Sequence, residues 1–515
     1  MPQRRHTADH SRMSRRRFML LTGGLGAAAL AGACSNTAGS PTPIAPSAAA
    51  VGSVEQSRRT ANARTVTAAL RARTTTVDLG GVAVDTWAYD GRVPGPELRV
   101  TAGDVLRVDF TNELPQESTV HWHGLALRND MDGVPELTQP PVAPGSTFTY
   151  EFTVPDAGTH WFHPHVGVQL DRGLYAPLIV ENPSDGDDYD LEAVLVLDDW
   201  LDGVAGTPDE QLETLRRDGM PGMGGMDHGS MPGMGGMSGM AMTVDPANPL
   251  GSDTGDVAYP YYLVNGRTAR DPVTVTGRPG QRIRLRIVNA AADTAFRFAV
   301  GGHRMTVTHS DGYVVEPLDT QSLLIGMGER FDVVVTLGDG VFPVVAAAEG
   351  KDGQGLAILR TSGGPAPSPD ARPAELAAHP TTGAQLRAPR DVRLAGREPD
   401  RVHDVVLGMG MSGYRWTING DTYGEHTPLE ISEGERVRLR FVNRTMMFHP
   451  MHVHGHTFQV VDRSGAGARK DTSLVLPGNT VEVDLDANNP GQWMVHCHNL
   501  YHGEGGMMTV LSYVD

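Results

Sequence analysis

The stretch GERVRLRFVN (434–443) decides the fold, because GDVLRVDFTN (103–112) and GQRIRLRIVN (280–289) share its pattern. Each begins with glycine, continues with β-forming residues at alternate positions and ends with asparagine. Period-two alternation is typical of a strand with one buried face. Each stretch also follows a proline-containing segment, and the second and third follow an Asn-Gly pair, which favours a tight turn. The repeat predicts an all-β chain built from three related β-sandwiches.

Domain limits can be drawn around these repeats. A second similarity, between GTHWFHPH (158–165) in the first domain and GQWMVHCH (491–498) in the last, supports the repeat. The one predicted helix is PDEQLETLRR (208–217). The predicted segments are a signal over 1–33, a flexible tether over 34–75, sandwich domains over 76–185, 186–362 and 398–515, and a Pro- and Ala-rich linker over 363–397.

Length and charge narrow the function classes. The chain has 515 residues, 39% of them hydrophobic, which is enough for several cores. Its 62 glycines and 36 prolines favour short strands and turns over long helices. A net charge of −18 disfavours nucleic acid and anionic membrane surfaces, so we expect no nucleic-acid partner.

The N-terminus resembles a bacterial twin-arginine (Tat) export signal. SRRRFML (14–20) carries the arginines, and the Gly- and Ala-rich run after it is too short to span a membrane. AGAC (31–34) resembles a lipoprotein-type cleavage site, so either Cys34 carries a lipid anchor or the chain is cut and released. The Ala-, Ser- and Thr-rich residues 34–75 predict the tether. We expect an extracytoplasmic protein, secreted, periplasmic or attached as a lipoprotein.

Four short motifs supply ten of the twenty histidines as candidate metal ligands. They are HWHG (121–124), HPH (163–165), HPMHVHGH (449–456), of which His449, His452 and His454 are counted, and HCHNLYH (496–502). A His-x-His pair on a strand places both imidazoles on one face, because side chains alternate. The motifs fall in the first and last predicted domains, and this distribution favours metal binding over solvated or structural histidines.

Cys497 lies between two of these histidines, and the only other cysteine is Cys34. On an extended backbone Cys497 points to one side while His496 and His498 point to the other. The cysteine can therefore bind one metal while its neighbours bind a second site across the strand.

The ligands that can close around Cys497 indicate copper. His502 and Met507 follow it closely, and His449 can come from an adjacent strand. Two histidines, a thiolate and a weak axial thioether are the ligands of a blue-copper electron-transfer site. Zinc also takes cysteine and histidine, but the thioether favours copper.

With these motifs the chain resembles the multicopper oxidase family, in particular three-domain laccases and bacterial copper-efflux oxidases. The family pattern H-C-H-x₃-H-x₄-M fits residues 496–507 without a gap. The resemblance implies three cupredoxin-like Greek-key β-sandwiches and four coppers per chain, three of them between the first and last domains with the middle domain as spacer. It implies the following ligands: His449, Cys497, His502 and Met507 for the type 1 copper; His121 and His452 for the type 2 copper; His123, His163, His165, His454, His496 and His498 for the type 3 pair.

Two acids match the family less evenly. Asp132, nine residues after His123, stands where the family has an acid that supplies protons to the cluster; its alternative role is that of a turn aspartate. Related oxidases often have glutamate directly after the residue that matches His502, where this chain has Gly503, and Glu504 is the candidate substitute. The residues expected to act in catalysis are Cys497, His496, His498, Asp132 and Glu504.

Residues 220–242, MPGMGGMDHGSMPGMGGMSGMAM, hold eight of the 22 methionines. Their Gly and Pro content disfavours a stable helix. Flexible thioethers suit Cu(I), a soft ion, although the stretch could also be a linker that happens to be rich in methionine. Copper-efflux relatives usually carry such a segment in the last domain, whereas here it opens the second. The candidate Cu(I) ligands are Met220, Met223, Met226, His228, Met231, Met234, Met237, Met240, Met242 and Met447. Met409, Met411 and Met446 are either further ligands or core residues.

Together these residues predict a copper enzyme that oxidises its substrate one electron at a time and reduces O₂ to two waters. Electrons would enter at the type 1 copper and pass through Cys497 to its two histidine neighbours. Cu(I) is the first-choice substrate, which makes the protein a copper-detoxifying oxidase. The alternatives are a laccase acting on phenols and aromatic amines, or a non-catalytic copper-buffering or scaffold protein. We expect a monomer.

Overall fold

The computed structural model describes residues 41–182, 188–219 and 248–515. The predicted signal segment, Cys34 and the methionine-rich stretch 220–242 lie outside the described residues. Among the helices of the described ranges, none is both long enough and apolar enough to cross a membrane.

In the described ranges, 31 strands form six sheets that occur in three pairs along the chain, which confirms the predicted all-β sandwich fold. The first pair contains β1 (Thr65–Asp78), β2 (Ala83–Tyr89), β3 (Leu98–Thr101), β4 (Val105–Glu113), β5 (His121–His123), β6 (Thr147–Thr153), β7 (Gly158–His163) and β8 (Ala176–Glu181). Its sheet orders are β2-β1-β4-β6 and β3-β8-β7-β5.

The middle pair contains β9 (Leu191–Trp200), β10 (Tyr261–Val264), β11 (Arg267–Thr268), β12 (Val273–Thr276), β13 (Arg282–Asn289), β14 (Phe296–Val300), β15 (Met305–Ser310), β16 (Tyr313–Thr320), β17 (Leu323–Ile325), β18 (Arg330–Thr336), β19 (Val341–Ala348) and β20 (Gln354–Arg360). Its sheet orders are β11-β10-β9-β13-β18-β15-β16 and β12-β20-β19-β14-β17.

The third pair contains β21 (Arg401–Met409), β22 (Trp416–Ile418), β23 (Leu429–Ile431), β24 (Arg436–Asn443), β25 (His449–Val453), β26 (Phe458–Val460), β27 (Arg469–Lys470), β28 (Thr472–Val475), β29 (Thr480–Asp486), β30 (Gln492–Cys497) and β31 (Met508–Tyr513). Its sheet orders are β22-β21-β24-β29-β26-β27 and β23-β31-β30-β25-β28. The helices are α1 (Ala49–Arg58), α2 (Pro208–Asp218) and α3 (Leu500–Glu504), and 3₁₀ turns cover Asn129–Met131, Gln169–Asp171, Ala374–Ala377, Gly383–Gln385 and Tyr423–Glu425.

The three repeated stretches form strands β4, β13 and β24, which occupy the same place in their sheets. Each runs parallel to the first strand of its sandwich on one side and antiparallel to a later strand on the other. The internal repeat is thus a repeat of sheet topology as well as of sequence.

The asparagine that closes each repeat has one structural role in all three sandwiches. Asn112, Asn289 and Asn443 are buried, and each side-chain amide donates to backbone carbonyls of the loops beyond it. Each side-chain oxygen accepts from the N–H two residues on. A buried backbone group needs such a partner, and asparagine offers both a donor and an acceptor.

Apolar packing joins the sandwiches. The first has its own core around Phe110, Trp122 and Phe152. The middle and third sandwiches share one continuous buried cluster, to which Met327 of the middle one and Leu474 of the third belong. Dense packing of this kind leaves little freedom between neighbours.

The predicted helix over 208–217 is confirmed as α2. Thr207 caps its N-terminus by accepting from the N–H of Glu210, whose carboxylate accepts from the N–H of Thr207. This reciprocal pair satisfies two amide groups that the first helical turn leaves free.

The prediction of a flexible tether over 34–75 is wrong for the part that the structure describes, residues 41–75. Residues 49–58 form α1, and strand β1 begins at Thr65 and pairs with β4. The helix is held by Glu55, whose buried carboxylate accepts from the N–H (2.9 Å) and the hydroxyl (2.7 Å) of Thr153. The threonines of this segment, taken as linker residues, are β-formers in β1.

We therefore expect Glu55→Ala to detach α1 from β6. The change leaves the buried N–H of Thr153 without its partner, and amide hydrogen exchange in α1 and at Thr153 should accelerate on the order of tenfold or more. Ser53→Ala, on the exposed side of the same helix, is the control and should leave exchange unchanged. Equal exchange in the two variants would show that α1 is held by other contacts.

Candidate metal centre

The predicted histidine ligands lie on neighbouring strands of two sheets. In the first sandwich β5 carries His121 and His123 and pairs with β7, which places His121 opposite His163. In the third sandwich β25 pairs with β30, which places His452 opposite His496. Antiparallel pairing brings side chains that are distant in sequence to the same face. Each sheet thereby assembles half of a ligand set.

Imidazoles from the two halves interleave where the first and third sandwiches meet. The ring of His121 stacks on that of His454, and the ring of His123 on that of His452, each at a centroid distance of 3.8 Å. His165 is partly exposed, and the other members of the cluster are buried. The cluster consists of His121, His123, His163, His165, His452, His454, His496 and His498.

In three histidines of this cluster one imidazole nitrogen forms a hydrogen bond to the protein and the other nitrogen has no partner. Nδ1 of His121 and Nδ1 of His452 donate to the carbonyls of Asp132 (2.9 Å) and Asp471 (3.0 Å), and Nδ1 of His163 also donates to a carbonyl. Nε2 of each of these histidines is buried without a hydrogen-bond partner. A buried lone pair without a partner is costly, whereas this pattern is the usual one for metal-binding histidines. The donor set therefore fits metal ions.

Burial favours the neutral form, which is the metal-binding form, in several histidines of the cluster. Burial first and neighbouring histidines second lower the pKa of His163, His454 and His496 well below the usual value. The same causes lower the pKa of His165 to about 3. At neutral pH such imidazoles already have a free lone pair, so no proton has to be released when a metal binds.

Cys497 forms a second ligand group with His449 and His502. Its Sγ atom is 3.6 Å from Nδ1 of each histidine, and the two nitrogens are 3.0 Å apart. Met507 is buried in the same core, and its carbonyl accepts from the N–H of Cys497 (3.1 Å). Burial raises the pKa of the Cys497 thiol, so a thiolate needs a cation beside it. Sulfur and two nitrogens converging on one buried point fit copper.

Strand β30 connects the two ligand groups. His496 groups with ligands of the interleaved cluster, while Cys497, the next residue, groups with His449 and His502. Within the described ranges, every group of possible metal ligands draws on the first and third sandwiches alone. One covalent step along the backbone therefore separates the two sites.

The outer nitrogens of the Cys497 group also have neighbours. Nε2 of His449 is 2.8 Å from the hydroxyl of Thr445. Nε2 of His502 is 3.2 Å from the carboxylate of Asp256, which belongs to the middle sandwich. This carboxylate places negative charge at the outer edge of the site.

Asp132 bridges the two halves of the cluster. Its buried carboxylate lies 2.8 Å from Nδ1 of His454 and 3.2 Å from Nδ1 of His121. It can accept a hydrogen bond from either imidazole, and as an acid it can also hold a proton beside both.

A narrow cavity of about 30 Å³, the space of one water molecule, reaches four cluster histidines from the side of Glu504. Gly503 and Glu504 both line it. Burial raises the pKa of Glu504, an effect that Arg216 opposes. Glu504, although it is one residue later than the glutamate expected at position 503, thus still lines the cavity that leads to the cluster.

Met447, one of the predicted Cu(I) ligands, lies in the core and is 1% exposed, so its sulfur does not face solvent. Among the described methionines the most exposed are Met411 (99%), Met446 (57%) and Met409 (41%). The other candidate Cu(I) ligands, in 220–242, lie outside the described residues.

Sequence reasoning missed two acids that lie against the ligands, Asp256 and Asp471. Asp471 Oδ1 is 3.1 Å from Nε2 of His123. Its only sequence signal is the charged pair Lys470-Asp471 just before an apolar run, which is typical of a buried ion pair. Asp256 lies between strands, in a segment without periodicity, and offers no signal.

Comparison with known proteins shows the same organisation along the whole chain. Three family profiles described as multicopper oxidase match residues 71–185, 192–364 and 398–515. The chain is 46% identical to multicopper oxidase MmcO of Mycobacterium tuberculosis over 98% of both chains. It is 29% identical to a copper resistance protein A homolog of Pseudomonas syringae pv. tomato, over 84% of this chain and 90% of that one. The crystal structure of a multi-copper oxidase from Pseudomonas Thermotolerans is 27% identical, with a TM-score of 0.64 over 88% of this chain and all of that one.

The geometry around Cys497 predicts that Cys497→Ser abolishes the intense blue thiolate-to-copper absorption and nearly all turnover, because the sulfur ligand is lost. The chain should still fold, since serine is close to cysteine in size. Cys34→Ser makes the same chemical change at the only other cysteine and should stay blue. Absorption spectra of the two copper-loaded variants test this prediction. A Cys497→Ser protein that is still blue would contradict the assignment of Cys497 as a copper ligand.

Proposed function

The chain belongs to the multicopper oxidase family, whose members are oxidoreductases that use O₂ as electron acceptor, and we propose that Cu(I) is its principal substrate. When bound, the four coppers accept electrons from substrate and reduce O₂ to water. The unpartnered imidazole nitrogens and the sulfur-centred group support the ligands that the family resemblance implies. The proposed ligands are His449, Cys497, His502 and Met507 for type 1; His121 and His452 for type 2; His123, His163, His165, His454, His496 and His498 for type 3.

The observation that carries the choice of Cu(I) is where the methionine-rich stretch joins the described chain. On its N-terminal side it follows α2, and Arg216 of this helix donates to the carbonyl of Glu504 (3.0 Å). Glu504 is two residues from His502. The helix that precedes residues 220–242 therefore contacts the segment that carries His502.

On the C-terminal side, described residues that follow the stretch contact the segment that carries the other imidazole. Asp253 forms a β-bridge with Met447, two residues before His449. Asp256, three residues further on, lies against His502. Thioethers favour Cu(I), and carboxylates attract cations, so the residues that flank the methionine-rich stretch support Cu(I) as the substrate.

Proton supply is the role we propose for Asp132 and Glu504. Reduction of O₂ to water consumes protons, and a buried carboxylate within hydrogen-bond reach can deliver them. Asp132 lies against His121 and His454, and Glu504 lines the cavity that leads from the other side. Glu504 would take the place of the glutamate that relatives have at Gly503.

A laccase acting on phenols and aromatic amines is the second candidate. The exposed side chain of Met446 lies next to Thr445, which contacts His449, and an apolar rim of this kind can also pack against an aromatic ring. Substrate comparison separates the two candidates.

Domain limits and location are proposed from the sequence. The sandwich domains are those over 76–185, 186–362 and 398–515, although β1 extends the first one to Thr65. The arginine motif supports Tat export, with either a lipid on Cys34 or release, and we propose a monomer.

If the thioethers of 220–242 recruit Cu(I), replacing its eight methionines by leucine should lower O₂ consumption with Cu(I), because leucine has no soft ligand atom. O₂ consumption with a phenol should be kept, since phenol oxidation needs no thioether. Steady-state O₂ uptake with both substrates, on wild type and variant of equal copper content, makes the measurement.

The wild type must itself oxidise Cu(I) faster than the phenol for the proposal to hold. Loss of both activities in the variant would indicate damage to the fold. If neither activity changed, the stretch would be a linker and the laccase reading would be preferred.

Asp132→Asn should leave reduction of the type 1 copper by substrate fast and slow reoxidation by O₂ on the order of a hundredfold or more, because the amide cannot deliver a proton. Stopped-flow absorption in the blue band follows both steps. Asp130→Asn, in the same turn but paired with Arg128 away from the cluster, is the control. Equal reoxidation in both variants would reduce Asp132 to a turn residue.

A further inference from the structure

The middle sandwich places one side chain, Arg330 of β18, at the edge of the interleaved histidine cluster. Arg330 is fully buried, and its guanidinium pairs with both carboxylate oxygens of Asp471 in the third sandwich, at 2.7 and 2.6 Å. It also donates to the carbonyl of Thr159 in the first sandwich (3.0 Å) and to that of Gly328 (3.1 Å). One side chain thus ties all three sandwiches together.

Asp471 in turn touches a ligand from each half of the cluster. Its Oδ1 atom lies 3.1 Å from Nε2 of His123, and its carbonyl accepts from Nδ1 of His452 (3.0 Å). The hydroxyl of Thr472 lies 3.1 Å from the same two nitrogens. In each imidazole the engaged nitrogen is fixed as the protonated one, so the other is left for metal.

In both histidines the second imidazole nitrogen is indeed free, as metal binding requires. Nδ1 of His123 and Nε2 of His452 are both buried without a partner. His121 and His163, whose Nδ1 atoms donate to carbonyls, leave Nε2 free, whereas His123 leaves Nδ1 free, because Asp471 holds its Nε2. The orientation of Asp471 therefore decides which atom His123 offers.

Backbone and glycine positions show that this contact is built into the fold. Gly124, the last residue of HWHG, has φ +87°, and a Cβ there would collide with the guanidinium of Arg330. A Cβ on Gly328 would lie 2.9 Å from His498 and 3.0 Å from His123. Asp311 accepts from the backbone N–H of Arg330 (2.9 Å) and from that of Thr472 (3.1 Å).

We infer that Arg330 is a positioning residue for the copper cluster: by clamping the carboxylate of Asp471 it sets the tautomer and orientation of His123, and it holds the same Oδ1 atom 3.4 Å from Nδ1 of His452. A bidentate guanidinium fixes a carboxylate in one plane, and a buried carboxylate without that partner would turn toward other donors. The middle sandwich is then part of the copper site although it supplies no ligand among the described residues. This inference rests on the proposed type 2 and type 3 ligands.

Arg330→Met tests it by removing the guanidinium while keeping an unbranched apolar side chain in place of the arginine stem. The copper affinity of the histidine cluster should fall about 10- to 100-fold, the usual cost of losing a group that orients metal ligands. The blue absorption of the Cys497 site should be unchanged. Graded chelator dialysis, with copper per chain and the electron paramagnetic resonance spectrum of the type 2 copper as readouts, measures this without turnover.

Arg284→Met is the matched control. Arg284 is an equally buried arginine of the same sheet and pairs with Asp332 at 2.6 Å, but it does not touch Asp471. Its variant should lose stability to a similar extent, read from the melting temperature of the copper-free protein, and keep wild-type copper affinity and spectra.

Copper loss in Arg284→Met equal to that in Arg330→Met, or wild-type copper retention in Arg330→Met, would overturn the inference. Should Arg330→Met not accumulate as folded protein, Arg330→Lys decides. It keeps the charge without the bidentate geometry, so an altered type 2 spectrum supports the inference and a wild-type spectrum refutes it. A wild type that holds copper only at the blue site would instead refute the proposed cluster ligands.

Discussion

The stacking of imidazoles from the first sandwich on imidazoles from the third is the contact on which the rest of the structure depends. His121 on His454 and His123 on His452 leave no room between the rings, so the two sandwiches must be docked in one position. A metal site is only as precise as the elements that carry it. The continuous core between the middle and third sandwiches, together with the buried ion pairs of Arg330, supplies that rigidity.

The second constraint is the two-residue period of strand β30. Pairing with β25 on one side and β31 on the other fixes its register. A slip by one residue would turn Cys497 toward the cluster and its two histidine neighbours away from it, and would destroy both sites together. The same alternation that makes a strand amphipathic here separates a sulfur site from a nitrogen site by one peptide unit.

Much of this arrangement could be predicted from the sequence, since it rests on local patterns. Alternating β-formers predict the repeated strands, and the His-x-His spacing predicts the shared face of His121 and His123 on β5. Contacts between segments far apart in sequence leave no such pattern, which is why Asp256 and Arg330 escaped notice. The 34–75 prediction failed because composition alone cannot show that Glu55 has a buried partner 98 residues away.

The division of the ligands between the two ends of the chain has a consequence for how the protein is made. A growing chain that has completed its first sandwich offers four of the eight cluster histidines, and the other four arrive only with residues 452–498. Half a ligand set on one sheet edge would hold copper weakly and leave its other coordination positions open. Tight copper binding at the cluster must therefore wait until the last strands are synthesised and docked. A tightly bound copper cluster then indicates that the whole chain has been completed.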